Sequence, residues 1–377
     1  MDKLQPHIKK VKLLDVCQKA TSKLSQKDLE NLEGAYPVYG AGGYIKNINY
    51  YQQENPYIAV VKDGAGIGRT FFLPAKSSII GTMQYLLPNN LVEAKFLYYA
   101  VKNMHLEKYY TGATIPHIYF RDYQREQFKL PEKREQIKII EVLENVESIV
   151  EARKKQLEKL DTLIKARFVE MFGELVSLDC QWEKAKLIDV CETPDDIKCG
   201  PFGTQLAKDE YQSSGIAVWE IPQINSAFKS LPTHFLTGKK AEQLKAYSII
   251  PGDIAMSRKG NVGKCALFPE TLDAGIIHSD VLRIRVNTNI VSPCFMMHQL
   301  HLSNSVRRQI ELVSSGAIMA GVNVTKLKDI EVHLPPFTLQ RQFAAFVAQT
   351  DKSKSVIQKS LDETQLLFDS LMQKYFG

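Results

Sequence analysis

The chain of 377 residues contains an internal repeat, and this repeat restricts the possible folds more than any other feature of the sequence. The segment VKLLDVC, which ends at Cys17, returns as AKLIDVC, which ends at Cys191. Two further pairs follow in the same order: IAVVKDGAGIGRTFFLP (58–74) with IAMSRKGNVGKCALFP (254–269), and TGATIPHI (111–118) with SGAIMAGV (315–322). The sequence therefore predicts two copies of one domain.

Each half ends in a long segment of helical character. A proline pattern opens each segment, Leu130-Pro131 in the first half and Leu334-Pro335-Pro336 in the second, and each closes at a Phe-Gly pair. Proline near a helix start and glycine just past its end are both favourable. The first segment reads Leu-Pro-Glu-Lys-Arg-Glu-Gln and reaches its Glu135-Gln136 pair directly, whereas the second has Pro-Pro and reaches its Arg341-Gln342 pair two residues later. The sequence therefore predicts an entry two residues longer in the second half.

The globular parts read as mixed strands and helices. Short β-rich runs such as 57–61 and 281–286 are bounded by Gly, Pro, Asn and Asp, which is typical of strands and turns. We therefore predict an α+β fold with two pseudo-symmetric domains separated by two long helices. The predicted boundaries are residues 1–131 for the first domain, 132–175 for the first helix, 176–335 for the second domain and 336–377 for the second helix.

The two long helices carry matching heptad patterns. Core positions spaced alternately by three and four residues indicate a coiled-coil seam. On the first helix these are Leu143, Val146, Val150, Arg153, Leu157, Leu160, Ile164, Arg167 and Met171. On the second they are Val347, Thr350, Lys354, Ile357, Leu361, Thr364, Phe368, Leu371 and Tyr375, each 204 positions later. Polar entries on one helix match apolar entries on the other, which favours pairing within the chain.

Duplication with paired helices suggests a pseudo-twofold axis, and this axis makes the coiled coil antiparallel. The seam would span roughly 45 Å, a little over one turn of B-DNA. The alternative is that each amphipathic helix packs on its own domain.

The flanking positions of both helices carry more apolar residues than a solvent-exposed two-stranded coil usually has. They are Ile140, Val142, Ile149, Leu163, Phe168, Phe346, Leu367 and Met372. We predict that helices of a partner protein dock there. Packing against the chain's own domains would account for part of the same pattern.

Charge and apolar runs place mild limits on the class of protein. The net charge of +6 and the pI of about 8.8 suit a polyanionic partner without requiring one. No apolar run approaches the roughly 18 residues of a membrane span, and no leader is evident, which predicts a cytoplasmic protein. The six cysteines follow no disulfide or zinc spacing, so we expect reduced thiols.

Together these motifs resemble the specificity subunits of Type I restriction-modification enzymes over essentially the whole chain. The most specific segments are YPVYGAGG (36–43), GPFGTQL (200–206), GDIAMSRKGNVGK (252–264), and SGA followed by LPP and Arg-Gln at the second helix start. The resemblance implies that each domain is a target-recognition domain reading one half of a split, asymmetric site in double-stranded DNA.

The resemblance also implies partners and excludes cofactors from this chain. Two modification subunits would dock on the helices and methylate adenine N6 from S-adenosylmethionine, while restriction subunits would use ATP and Mg for translocation and cleavage. We therefore expect no catalytic residue, no metal and no cofactor here. The alternative function is a duplicated coiled-coil scaffold that binds a partner other than DNA.

The residue patterns support the absence of catalysis. Leu334-Pro335-Pro336-Phe337 lacks the Asp or Asn that an adenine methyltransferase places before its prolines. The glycines at 64, 66 and 68 match neither a Walker loop nor a dinucleotide turn. Asp195 and Asp196 lack a nuclease lysine at a suitable distance, and His298 and His301 lack a third metal ligand.

DNA reading needs loops whose backbone approaches phosphates and whose cations and amides reach base edges. The candidates in the first domain are Tyr39, Gly40, Gly42, Lys62, Asp63, Gly64, Arg69, Thr114 and His117. Those in the second are Phe202, Gly203, Thr204, Gln205, Arg258, Lys259, Asn261, Lys264, Ser315 and Asn323. The alternative is that the glycines permit tight turns and the cations are solvated.

Overall fold

The computed structural model describes residues 9–112, 116–173, 182–314 and 321–377. The chain divides into two compact units. Unit 1 comprises Met1–Lys155 and Ile357–Gly377, and unit 2 comprises Gln156–Val356. Each of the two long helices therefore contributes one part to unit 1 and the other part to unit 2.

The described residues of unit 1 form short strands, short helices, the beginning of one long helix and the end of the other. The strands are β1 (Lys9–Lys12), β2 (Cys17–Thr21), β3 (Tyr36–Gly40), β4 (Gly43–Ile48), β5 (Tyr57–Val61), β6 (Thr70–Leu73), β7 (Ser78–Ile79), β8 (Met83–Pro88) and β9 (Gln127–Leu130). The α-helices are α1 (Leu13–Val16), α2 (Ala94–Asn103), α3 (Phe120–Tyr123) and the 40-residue α4 (Lys133–Phe172). Single 3₁₀ turns lie at Lys27–Leu29 and Leu106–Tyr109.

Unit 2 repeats this composition and adds elements. Its strands are β10 (Glu183–Lys186), β11 (Ile197–Cys199), β12 (Ile216–Trp219), β13 (His234–Leu236), β14 (Ser248–Ile249), β15 (Ile254–Ser257), β16 (Cys265–Leu267), β17 (Gly275–Ile277), β18 (Val281–Ile284) and β19 (Glu331–Leu334). Its α-helices are α5 (Ile221–Asn225), α6 (Gly238–Gln243), α7 (Pro293–Leu302), α8 (Asn304–Leu312), α9 (Val324–Lys328) and the 40-residue α10 (Phe337–Phe376). The 3₁₀ turns are Leu187–Val190, Pro194–Asp196, Gly203–Gln205, Lys208–Glu210 and Lys245–Tyr247.

The sheets of the two units share one topology. In unit 1 an antiparallel sheet has the order β2-β8-β5-β6, and in unit 2 the matching order is β11-β18-β15-β16. A second sheet, β4-β3-β7, contains the parallel pair β3-β7; its counterpart β13-β12-β17-β14 contains the parallel pair β12-β17. The two-stranded pairs β1-β9 and β10-β19 also correspond. The predicted α+β duplication is confirmed.

The repeated LxDVC motif forms the same turn in both units. The backbone N–H of Lys12 donates to the Asp15 carboxylate at 3.0 Å, and that of Lys186 donates to the Asp189 carboxylate at 3.1 Å. This bond satisfies a backbone donor at the start of the turn, as helix-capping carboxylates do. The first leucine and the valine of the motif are fully buried in both units, as Leu13 and Val16 and as Leu187 and Val190, so the motif is explained by folding and needs no functional role.

The two long helices begin in equivalent ways, and the prediction of a longer entry in the second half was wrong. Both helices have 40 residues, and Lys133 and Phe337, at which they start, are 204 positions apart. Buried Gln136 accepts from the backbone N–H of Glu93 at 2.8 Å and donates to Pro131 O at 2.9 Å. One glutamine thus ties the start of α4 to the start of α2, since Glu93 is the N-cap of α2.

The same arrangement recurs at Gln340, 204 positions after Gln136. Its side chain accepts from the backbone N–H of Ser292, the N-cap of α7, at 2.9 Å, and donates to Pro335 O at 2.8 Å. The sequence pattern pairs Glu135-Gln136 with Arg341-Gln342, and the structure shows that this pairing is wrong by two residues. Buried Gln340, rather than exposed Gln342, is the counterpart of Gln136.

The predicted seam between the long helices is confirmed, since every one of its positions is buried or half-buried. In unit 1, Leu143 and Val146 near the start of α4 share a core with Phe368 near the end of α10. In unit 2, Phe168 near the end of α4 lies 5.4 Å from Phe343 near the start of α10, measured between ring centroids. The helices are therefore antiparallel.

Two further predictions concern cysteines and membranes. The five described cysteines are free, and burial raises the pKa of the Cys17, Cys191 and Cys294 thiols to about 12. Cys180 lies outside the described residues. Among the helices that the structure describes, none combines the length and apolar character that crossing a bilayer requires.

Candidate nucleic-acid interface

The β5–β6 hairpin of unit 1 holds the first group of predicted DNA-contacting residues. Its loop adopts the left-handed backbone conformation at Gly64, Gly66 and Gly68, with φ between 80° and 86°, a conformation that favours glycine. A Cβ atom at Gly68 would lie 2.5 Å from the backbone nitrogen of Glu107, so a larger residue does not fit there. The glycines therefore shape this loop, and Arg69 extends from its end as an exposed side chain.

The segment that precedes α3 closes over this hairpin. Backbone N–H groups of Gly64 and Ile118 donate to Pro116 O and Lys62 O at 3.0 and 2.9 Å. The Lys62 ammonium lies 2.8 Å from the Asp63 carboxylate, which also pairs with the His117 ring. The structure thus brings His117 next to the consecutive residues Lys62, Asp63 and Gly64, from which it is distant in the sequence.

Sequence reasoning missed two residues beside this group. Tyr119 is 41% exposed and its ring lies 4.3 Å from that of His117. The Arg121 guanidinium lies 4.5 Å from the centre of the Tyr119 ring, so half-buried His117 and the exposed Tyr119 and Arg121 form one contiguous cluster. The sequence signal for this pair was an aromatic residue followed two positions later by an arginine, directly after the small-residue turn. Nucleic-acid bases stack on aromatic rings and on guanidinium planes.

Unit 2 contains the same hairpin with one residue fewer. The backbone N–H of Ser257 donates to Lys264 O at 2.8 Å, as that of Val61 donates to Arg69 O at 2.9 Å. The N–H of Val322 donates to Arg258 O at 3.1 Å, matching the bond from Ile118 to Lys62 O. The segment before α9 therefore covers this hairpin as the segment before α3 covers the first.

The polar side chains of the second hairpin are held by their own unit. The Arg258 guanidinium lies 4.8 Å from the exposed Phe202 ring and donates to Val322 O at 3.2 Å. The Lys259 ammonium lies 2.9 Å from the Asp280 carboxylate.

Two further side chains of this hairpin meet Asn225 at the end of α5. Lys264 donates to the Asn225 carbonyl at 2.8 Å, and the Asn261 amide reaches the Asn225 side chain at a weak 3.4 Å. Asp280 and Asn225 were not predicted, because their role depends on loops that are distant in the sequence.

The turn predicted around Tyr39 belongs to the other sheet of unit 1. Gly40 ends β3 and is buried, and a Cβ there would lie 3.0 Å from the Ile45 side chain, so packing explains this glycine. Gly42 faces open space. The Tyr39 ring meets the 60% exposed Tyr44 edge-on, with centroids 6.2 Å apart. Tyr44, rather than Gly40, presents the accessible surface of this turn.

Several remaining candidates have structural roles or cannot be placed. The Gln205 side chain accepts from the Phe202 backbone N–H at 3.2 Å and from the Tyr247 hydroxyl at 3.0 Å, which closes the turn containing Gly203. Asn323 caps α9 by accepting from the Lys326 N–H at 3.1 Å. Thr114 and Ser315 lie outside the described residues, as does the side chain of Thr204.

The motifs considered for metal or acid chemistry also have structural explanations. The Asp196 carboxylate accepts from the Thr193 N–H at 2.8 Å and so closes a turn. His298 is buried, its ring donates to Cys294 O at 2.7 Å, and burial lowers its pKa. Within the described parts of the chain, no group of three or more His, Cys, Asp and Glu side chains is arranged to hold a metal.

The residues predicted to bind a partner divide into two groups. Val142, Ile149, Leu163 and Leu367 are 39–50% exposed on the long helices. Ile140 and Phe346 are partly buried against the cores of their own units, and Phe168 and Met372 are almost fully buried there at 1% and 5% exposure. Phe168 and Met372 are thus core residues with no surface to offer a partner, and the exposed four remain candidates.

Comparison with known proteins gives results that agree at the levels of sequence family and fold. The family model described as Type I restriction modification DNA specificity domain matches residues 7–161 and 180–364. A protein of Methanocaldococcus jannaschii, named as a type I restriction enzyme MjaX specificity subunit, is 24% identical over 210 residues. That match covers 54% of this chain and 47% of the relative, so it spans about half of each.

Two solved structures resemble the chain over its full length. The crystal structure of the Type I restriction-modification S subunit from M. genitalium superposes with a TM-score of 0.62 at 17% identity, covering 100% of this chain and 98% of that one. A chain from a structural study of type I restriction-modification complex assembly gives a TM-score of 0.57 at 15% identity, covering 100% and 99%. At these identities the likeness establishes a shared fold.

Proposed function

The chain belongs to the Type I restriction modification DNA specificity family, and from this membership we propose that it reads a bipartite, asymmetric site in double-stranded DNA. The observation that carries the proposal is the repeated loop pair: in each unit a glycine-shaped hairpin is covered by the segment before a short helix. Unit 1 presents Lys62, Asp63 and His117 there, whereas unit 2 presents Arg258, Lys259 and Asn261. Two equivalent scaffolds with different side chains suit two different half-sites.

The proposed contacts differ in the information they carry. Asn261 and Arg258 have the donor geometry that reads base edges in the major groove, whereas lysines act mainly as point charges toward phosphate. The internal ion pairs of Lys62 and Lys259 hold these ammonium groups in place, and DNA binding would exchange the carboxylate partner for a phosphate. Exposed Tyr119 and Phe202 would contribute stacking or apolar contact.

We propose that the chain itself is not an enzyme. Methyl transfer from S-adenosylmethionine belongs in this proposal to two modification subunits, and ATP- and Mg-dependent cleavage belongs to restriction subunits. The complex would act in the cytoplasm, where its DNA is. Rigorously purified chain should therefore transfer no methyl group to DNA without a modification subunit.

Adenine methylation in cells tests the proposal directly. With the gene present, methylated adenines should fall in a two-part sequence motif, and deletion of the gene should remove methylation at that motif. Restoring the gene on a plasmid should restore it. An unchanged methylation map after deletion would contradict the proposal and favour a scaffold for a partner other than DNA.

We also propose that the modification subunits dock on the exposed apolar residues of the long helices. Ile149 and Leu163 lie 14 positions apart on α4, at the same heptad position, and are 44% and 47% exposed. Leu367 is 204 positions after Leu163 and is 50% exposed, so the repeat keeps this apolar position on both helices, whereas the equivalent of Ile149 is Ser353. Exposed leucines at equivalent positions are unnecessary for the folding of a lone chain.

A pair of charge insertions separates docking from folding. Because both side chains are exposed, the double variant Ile149→Glu with Leu163→Glu should fold with an unchanged thermal melt yet no longer co-purify with the modification subunit. The control Ser148→Glu with Thr162→Glu adds the same charges to exposed positions about 100° around the same helix. Normal assembly of the first variant would place the docking surface elsewhere.

A further inference from the structure

A cavity of about 480 Å³ lies beside the second hairpin of unit 2. Helix α4 contributes Lys165 to its lining, and the hairpin contributes Asn261 and Lys264. The end of α7 contributes His301, and the first half of α8 contributes Arg307. The cavity therefore adjoins the loop that we propose reads bases, yet it is built largely from elements outside that loop.

The lining is basic and contains no carboxylate. Among the described residues, no carboxylate oxygen lies within 4.0 Å of the Lys165 or Arg307 side-chain nitrogens, whereas many other cations of the chain are ion-paired. Desolvation, followed by the charges of Arg307 and Lys264, lowers the pKa of His301. The positive groups thus influence one another across the cavity, and in the described part of the chain no carboxylate forms an ion pair with Lys165, Lys264 or Arg307.

The equivalent cavity in unit 1 shows that this charge does not follow from the fold. It has a volume of about 380 Å³ and is lined by Lys102 of α2 and Asp369 of α10. Asp369 is 204 positions after Lys165, and Lys102 occupies in α2 the place that His301 occupies in α7. Here Lys102 is paired with the Glu147 carboxylate at 3.1 Å. The repeat keeps the helical walls of the cavity, whereas the hairpin lines it in unit 2 alone of the two. Among the described residues, Lys165 and Arg307 of unit 2 have no carboxylate partner, unlike Lys102 of unit 1.

We propose that the cavity of unit 2 binds a phosphate group of the DNA backbone. This inference rests on the proposed DNA-reading function. A guanidinium offers a planar pair of donors to phosphate oxygens, and the ammonium groups add charge without demanding one orientation. DNA is favoured over a free anion because the hairpin proposed to read bases forms the rim, so a strand contacted there passes the cavity. The phosphate contact fixes the position of the duplex on unit 2, and carries no base preference of its own.

The test uses the full chain and a fluorescent duplex of randomised sequence, with binding measured by anisotropy over a range of salt concentrations. The double variant Lys165→Gln with Arg307→Gln should bind more weakly and should reduce the slope of log affinity against log salt by about 1 for each phosphate that is no longer bound. The control variant Lys102→Gln with Lys374→Gln removes two positive charges from unit 1, and Lys102 lines the equivalent cavity there. This variant should leave the slope close to that of the wild type. Because Lys165 and Arg307 are exposed, their substitution should leave the fold intact, and a thermal melt of each variant checks this.

The outcomes separate this inference from the proposed function. If the wild-type chain binds no DNA, with or without a modification subunit, the proposed function fails. If the wild type binds and the Lys165/Arg307 variant keeps its slope and affinity, only the phosphate site is overturned. Calorimetry with inorganic phosphate supplies a further arm: phosphate binding that the variant abolishes, together with an unchanged DNA slope, would assign the cavity to a free anion and overturn the DNA site. A reduced slope of log affinity against log salt, together with an unchanged methylation motif, supports binding of a DNA phosphate in the cavity.

Discussion

Unit 1 and unit 2 share a framework and differ in the loops that the framework presents. The order of the four-stranded antiparallel sheet, the LxDVC turn, the buried glutamine at each long helix and the hairpin bonds are the same in both. Among the described residues, unit 2 adds strand β14 and helices α5, α6 and α8, and it replaces the Lys62-Asp63 pair by Arg258-Lys259. The elements that support the two long helices are therefore the same in both halves, whereas the side chains of the loops proposed to contact DNA differ. A chain that recognises two different half-sites through one architecture requires this division.

The largest expected effect comes from truncating equivalent core anchors of the two units. Phe168 is 1% exposed and packs against Phe172, Phe295 and Phe343 in unit 2. Phe168→Ala should lower the free energy of unfolding by about 3–5 kcal/mol, and Met372→Ala, 204 positions later in unit 1, by about 2–5 kcal/mol.

Hydrogen exchange followed by mass spectrometry distinguishes the two units in this experiment. Each substitution should reduce protection mainly in the unit that contains it. Equal loss of protection throughout the chain after either change would show that the units unfold as one body and would break the comparison between them.

A smaller effect is expected at the paired glutamines. Gln136→Ala and Gln340→Ala each leave buried backbone groups without a partner, which should cost about 1–3 kcal/mol. Exposed Gln342 provides a matched control, because its substitution by alanine should stay within about 0.5 kcal/mol. Urea denaturation of the three variants checks the ranking. If Gln342→Ala lowered the free energy of unfolding as much as Gln340→Ala does, Gln342 rather than Gln340 would be the counterpart of Gln136, which would contradict the structure.

The pH dependence of stability should be weaker still and should differ between the units. Burial lowers the pKa of His298 and His333 below the ordinary 6.5, and both lie in unit 2. The unfolded chain therefore binds more protons than the folded one below about pH 6.5, so the stability of unit 2 should fall as the pH decreases through that range and is fully present above it.

Exchange protection of unit 2 measured between pH 8 and pH 5, corrected for intrinsic exchange rates, checks this expectation. His298→Phe keeps an aromatic ring beside Phe343 and removes one titrating group, so it should flatten the dependence below pH 6.5. A wild-type unit 2 that becomes more stable on acidification would contradict the assignment.

The sequence was sufficient for features that depend on periodic burial. The heptad seam followed from apolar spacing because facing helices bury the same positions turn after turn, and the duplication followed from matched segments. The role of Gln136 and Gln340 could not be predicted from the sequence. Their side-chain amides are buried because they bond backbone groups at the start of a helix that is distant in the sequence. For the same reason the partners Asp280 and Asn225 were missed, and Asn323, expected to contact DNA, proved to be a helix cap.

Exposure on the long helices was likewise beyond the sequence pattern. Leu163 and Phe168 both occupy flanking heptad positions, yet Leu163 is 47% exposed and Phe168 is 1% exposed. Phe168 is covered because Phe295 of α7 packs against it, with ring centroids 5.9 Å apart. The heptad position fixes the direction of a side chain around the helix, and the surrounding domain decides whether that direction meets solvent.

The central claim is that each unit reads its own half-site, and one measurement tests it most directly. The chain is reconstituted with its modification subunit, a randomised DNA library is methylated, and both halves of the selected motif are read by sequencing. Arg258→Ala with Asn261→Ala should cost about 1–3 kcal/mol for each base contact that is removed and relax one half alone. Lys62→Ala with Arg69→Ala should affect the other half. Relaxation of both halves by either pair would contradict independent reading by the two units.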